Sequence, residues 1–152
     1  MIRIAALVAI LCGACGNGDS GEAIGGTVTI TVGTESVAPD VGAVIPDPDP
    51  ANTSKAIVIL GTRDISCATE LDTRLGKGVY LSFTIDRAPA TQMGFVSVIR
   101  VEAAGAHLNG STGDIVIDAV TDRVTGSVMF DTVDADGTAI SAEGTFDAIR
   151  CF

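Results

Sequence analysis

The chain has no tryptophan, a single tyrosine and a single histidine, and aromatic residues make up only 4% of its 152 residues. Any core must come from small and β-branched side chains, which suit a pleated sheet. Positive charge is equally short: Lys and Arg number 9 against 19 Asp and Glu, for a net charge of −10. Without a basic cluster, the charge that holds phosphate backbones is missing, and nucleic acid is excluded as a partner. The length provides for one domain with one core.

Residues 1–15 read MIRIAALVAILCGAC. The charge at Arg3, the apolar run 4–11 and the small residues Gly13 and Ala14 form a secretory signal. The run is shorter than the about 20 helical residues that cross a bilayer, so it is no anchor by itself. Its end, Leu11-Cys12-Gly13-Ala14-Cys15, resembles the lipobox of bacterial lipoproteins, in which signal peptidase II cuts before a cysteine that then carries acyl chains. The resemblance implies that residues 1–14 are a signal peptide and that Cys15 is lipidated. Gly16, where an Asp would retain such proteins at the inner membrane, implies the outer membrane. Cys12 stands where the family prefers Leu, with Leu11 one position further out. The alternative is an ordinary secretory signal cut near Ala14, which would leave Cys15 free. Residues 16–21 (GNGDSG) read as a flexible tether. The expected organisation is therefore a signal peptide at 1–14, a tether at 15–24 and one β-rich domain at 25–152.

Export sets the reading of the remaining cysteines. With Cys12 removed and Cys15 acylated, Cys67 and Cys151 remain, and an even pair in an oxidising compartment forms a disulfide. Closing so long a loop constrains the unfolded chain by roughly 4 to 5 kcal/mol in the chain-entropy model. A metal-binding pair is the other option, but there is no CxxC and only one histidine to assist it.

Along the mature chain, apolar residues recur with period two. In 26–32 (GTVTITV), Val28, Ile30 and Val32 alternate with threonines, as in a half-buried strand. A short piece at 43–45 leads into the Pro/Asp stretch 46–54, read as a long hairpin loop. Residues 55–60 (KAIVIL) are apolar on both faces, as a strand covered on both sides would be. Val79, Leu81, Phe83 and Ile85 alternate with polar partners, and further strands follow at 95–101, 115–117 and 124–130. Turn signals lie at Ala88-Pro89, Asn109-Gly110 and Asp122-Arg123. One helix is expected near 67–75, capped by Ser66, striped by Ala68, Leu71 and Leu75, and stopped by a left-handed Gly76. The expected fold is all-β: an antiparallel β-sandwich or small barrel of about seven to eight strands with that one short helix.

The last hairpin can be derived to its register. A two-residue turn at Asp136-Gly137 would set Phe130 opposite Glu143, a core residue against a charge. A three-residue loop, 135–137, pairs Phe130 with Ala142, Val128 with Gly144 and Gly126 with Phe146, with Gly137 in the left-handed position. Cys151 then falls on the polar face, so either a bulge follows Ala148 or the disulfide lies outside the main core.

Constellations able to carry chemistry are few. Asp134, Asp136, Gly137 and Glu143 fall at EF-hand spacing, but Thr132 occupies the first ligand place and the flanks are strands. Asp47 and Asp49 could meet a cation or simply solvate their loop. His107 has no nucleophile motif to serve, because the only Gly-x-Ser-x-like run lies in the tether. No catalytic residue, cofactor or metal is expected. The stretch from about 54 to 152 also resembles an uncharacterised β-rich domain of Gram-negative envelope lipoproteins. The shared elements are KAIVIL, Cys67, YLSF at 80–83, and the paired strands Gly126-Ser127-Val128 and Gly144-Thr145-Phe146 running to Cys151. The functional expectation is a lipid-anchored envelope component that is structural or binds an envelope protein, with the membrane as its first partner. The alternative is a carrier of a small apolar ligand, with Phe83, Phe95 and Val128 lining its cavity.

Overall fold

A computed structural model describes residues 21–69 and 75–152. The signal 1–14, Cys15, tether residues 16–20 and the middle of the expected helix lie outside the described residues. The strands are β1 (Gly25–Gly26), β2 (Thr29–Val32), β3 (Glu35–Val37), β4 (Val41–Pro46), β5 (Lys55–Gly61), β6 (Gly78–Asp86), β7 (Ala90–Glu102), β8 (Gly105–Val120), β9 (Arg123–Val133) and β10 (Ala139–Arg150). All ten belong to one mixed sheet. The expected seven to eight strands fall short because the N-terminal run splits. Gly33 turns the chain into the three-residue β3, whose sequence Glu-Ser-Val carries no readable alternation.

From β4 to β10 each strand pairs antiparallel with the next, and β10 then pairs parallel with β4 at Ile149–Ala43 and Arg150–Val44. Six antiparallel steps restore the starting direction, so the pair that completes this circuit has to be parallel. That parity is why the sheet is mixed rather than antiparallel throughout. The free edge of β10 is shared: β2 covers residues 140–143, β1 covers 146–147 and β4 takes the end. Residues expected at the end of the tether also join this network, since Glu22 N–H donates to Ile65 C=O and Gly42 N–H to Glu22 C=O.

Alternation sends one side chain of every pair to a continuous inner cluster that includes Val28, Ile30, Val58, Leu81, Phe83, Val96, Ile115, Val128, Phe130 and Phe146. Phe83 and Phe146 meet edge to face with centroids 5.5 Å apart, a favoured aromatic geometry. A second cluster lies on the outer face of β4, β5 and β6, where Val41, Ala43, Ile45, Ile59 and Tyr80 are covered by Ile65 from the β5–β6 connection. KAIVIL thus serves both clusters, as its two apolar faces predict.

The predicted β9–β10 register holds at every pair named: Phe130–Ala142, Val128–Gly144 and Gly126–Phe146. Gly137 sits at φ +82°, the left-handed conformation that closes the loop. The Pro/Asp stretch is the β4–β5 hairpin loop. Asp47 and Asp49 there accept the N–H groups of Asp49 and Ala51 at 2.9 Å, so each carboxylate holds its own turn.

Two local expectations fail. No helix near 67–75 occurs among the described residues: Thr69 N–H returns to Ser66 C=O, and Thr69 Oγ1 accepts Ser66 N–H, which closes a turn instead. Gly76 is not left-handed, and its carbonyl accepts the Tyr80 hydroxyl at 2.8 Å. The turn expected at Asn109-Gly110 is strand, with Asn109 opposite Val98 and Gly110 opposite Ser97; the chain turns at Ala103-Ala104. Gly110 marks a close approach instead, since a Cβ there would come within 2.5 Å of the Phe95 ring.

Cys67 and Cys151 form a disulfide across 84 residues. The strand before Cys151 carries no bulge, and Cys151 packs on the outer cluster, so of the two arrangements open from sequence the staple outside the main core is the one adopted. It ties the β5–β6 connection to the C-terminus. Cys67→Ser with Cys151→Ser should lower the unfolding free energy by about 2–5 kcal/mol, read from urea denaturation with the β spectrum retained. Beneath the same connection, burial and the neighbouring Asp64 carboxylate push the Tyr80 phenol above its usual value of 10.0. As the only tyrosine, it should ionise at higher pH in the folded than in the denatured protein when followed by ultraviolet absorbance. Above pH 10.0 the unfolded chain releases this proton while the folded chain keeps it, so stability should decline with rising pH from there.

Candidate functional site

The two ends of the strand circuit differ. At the end where β4, β6 and β10 finish, Phe152 packs against the inner cluster. The Arg87 guanidinium stacks 4.2 Å from its ring centroid, and Arg150 lies 5.6 Å away. Arg87 Nε also donates to Lys55 C=O at 2.7 Å. Ring and cations together cover that end.

The opposite end opens into a cleft of about 590 Å³. Its origin is a mismatch of strand lengths: β8 pairs with β9 only from Asp114 onward, while its first residues remain on β7 alone. The β7–β8 tip therefore separates from the β9–β10 loop, and the gap between them is floored by Val32, Val98 and Ile140. Arg100, Glu102, His107 and Asn109 line one wall and Asp134, Asp136 and Thr138 the other. Arg100 and His107 are directly opposed in the β7–β8 pairing. Arg100 Nε lies 2.7 Å from Glu102 Oε1, and a second nitrogen lies 4.0 Å from Glu35 Oε2.

These groups can offer hydrogen bonds. Asp134 Oδ1 is committed to its own loop, accepting the N–H groups of Asp136 at 2.9 Å and Thr138 at 2.8 Å. Among the described residues His107 makes no hydrogen bond to a carboxylate, and no group of three His, Cys, Asp or Glu side chains is placed to hold a metal ion. Glu143, the twelfth place of the EF-hand spacing, lies along β10 opposite Met129 rather than in the loop.

The residues named for an apolar cavity are not brought together. Phe83 and Val128 are packed in the inner cluster, whereas Phe95 projects from the outer face and is 60% exposed. Cys15 lies outside the described residues. Arg100 and Glu102 were not anticipated from sequence. The signal was present in Glu102-Ala103-Ala104-Gly105: placing the turn there sets Arg100 opposite His107, while a turn at Asn109-Gly110 hides the pairing.

No protein-family model, no curated protein and no solved structure matches the chain.

The cleft wall depends on the Asp134 carboxylate as a turn acceptor. Asp134→Ala leaves two N–H groups without that partner and should cost about 1 kcal/mol, whereas His107→Ala, on the exposed wall, should stay within about 0.5 kcal/mol of the parent. Urea denaturation of the two variants checks both.

Proposed function

We propose that the chain is a lipid-anchored protein of the bacterial cell envelope, held at the outer membrane through Cys15, with a structural or protein-binding role. The observation that carries this reading is the Cys67–Cys151 disulfide, a bond that persists in oxidising compartments outside the cytosol. It agrees with the secretory signal and with the lipobox-like Leu11-Cys12-Gly13-Ala14-Cys15. The composition of residues 16–21, Gly-Asn-Gly-Asp-Ser-Gly, is that expected of a tether between Cys15 and the domain.

We further infer that the strand circuit is a small closed barrel rather than a sandwich. Supporting this, β10 pairs with β9 along one side and with β4 at the end of the other, and a single inner cluster draws on both. Such a barrel has an interior filled by side chains such as Phe83, Phe130 and Phe146. A filled interior favours display of an outer surface over carriage of an apolar ligand inside. Two or more acyl chains at about 0.8 kcal/mol per buried CH₂ anchor a protein stably.

Cys15→Ala should move the protein from the membrane fraction to the soluble exported fraction, with the Cys67–Cys151 bond intact. Retention of the variant in membranes would defeat the anchor.

A further inference from the structure

We infer that the outer face of β7, β8, β9, β10 and β2 is a docking surface for a protein segment that interleaves Lys or Arg with apolar side chains. The strand registers align one row across all five strands: Met93 opposite Asp114, Asp114 opposite Met129, Met129 opposite Glu143, and Glu143 opposite Thr29. Directly opposed residues share a face, so apolar and acidic side chains alternate along this row at the spacing of neighbouring strands, about 4.8 Å.

Met93 is 73% and Met129 58% exposed, and Phe95 stands beside Met93 on the same face. Unbranched, polarizable methionines adapt well to an incoming apolar surface. The row borders a groove of about 560 Å³, lined by Asp114, Val116, Met129, Glu143 and Thr145 among others. No Lys or Arg is among its described lining residues. The cations of the neighbouring strands are engaged elsewhere: Arg100 with Glu102, Arg123 with Asp147 and Arg150 with Asp122. Asp114 and Glu143 have no ion pair among the described residues and stand about 10 Å apart, two strand spacings, with Met129 between them.

That charge pattern selects the occupant. An anionic bilayer surface and a second copy of this acidic chain would both bring negative charge toward Asp114 and Glu143. A basic segment neutralises them, and its apolar side chains cover the exposed methionines. Along an α-helix, successive positions of one stripe advance about 4.5 to 6 Å, which matches the row, so an amphipathic helix mixing Lys and Leu on one face fits it best. The inference deepens the protein-binding part of the proposed role and is independent of the anchor.

The test uses the proposed exported form, residues 15–152, with Cys15→Ser in place of the acylated cysteine. Three synthetic peptides are titrated: one with Lys and Leu interleaved on one helical stripe, a scrambled peptide of the same composition, and one with Glu for Lys. The patterned basic peptide should bind saturably, and the other two at least about tenfold more weakly. Asp114→Asn with Glu143→Gln should weaken it by about 3- to 10-fold, because exposed pairs contribute modestly and are screened by salt. Met129→Ser should weaken it by about tenfold. All three positions are exposed, and unchanged melting curves separate lost binding from lost folding. Equal binding of all three peptides, indifference to these substitutions, or no saturation up to about 1 mM would overturn the inference. So would self-association that Met129→Ser abolishes, or docking on anionic vesicles through the same face. Fractionation of Cys15→Ala reads the anchor separately, and a photocrosslinker on the cleft wall at Asn109 reports any protein partner that binds there instead.

Discussion

The two-sided pairing of β10 is the constraint on which the other elements depend. One side is committed along nearly its whole length to β9, while the other is divided in turn among β2, β1 and β4. Because β4 pairs with the last two residues of β10, the strand pairings from β4 to β10 lead back to β4, and apolar side chains of these strands share one cluster. Few large aromatics are needed for this. Valine, isoleucine and alanine fill the interior at short strand-to-strand distances, and the pair Phe83–Phe146 supplies bulk where the faces meet.

Function-bearing surfaces follow from where this pairing runs out. At the closed end Phe152 and two arginines cover the inner cluster. At the other end β8 outruns β9, so a hairpin tip and a loop stand apart with His107 and Arg100 facing Asp136 across a cleft. On the outside, the disulfide side is apolar but covered by the β5–β6 connection, whereas the side formed by β7 to β10 is left open, with methionines and carboxylates in one register. The proposed envelope role and the proposed docking surface are compatible, since the inner cluster is packed with side chains and the row of methionines and carboxylates lies on the exterior.

Much of the fold was legible because period-two alternation reports directly on which side chains face a core. The dual role of KAIVIL and the β9–β10 register were both readable. The register followed because one wrong pairing, Phe130 with Glu143, would have buried a charge. At the helix expected near 67–75, the described residues 67–69 and 75 hold none, because capping and an apolar stripe describe local preference, while Ile65, Leu75 and Cys151 pack against the outer cluster of β4, β5 and β6. Asn109-Gly110 was misread for a similar reason. A turn-favouring dipeptide lies in mid-strand, where the glycine makes room for Phe95.

By itself, the sequence determined the all-β nature of the chain, the cysteine pair and the last hairpin, since each rests on local pattern or composition. Only the tertiary structure decided the parallel closure of β10 on β4, the assembly of the cleft and the five-strand row of Met93, Asp114, Met129, Glu143 and Thr29. Those features depend on the relative register of strands far apart in the chain. No local pattern encodes that register, because it is set by which pairings bury the most apolar surface together.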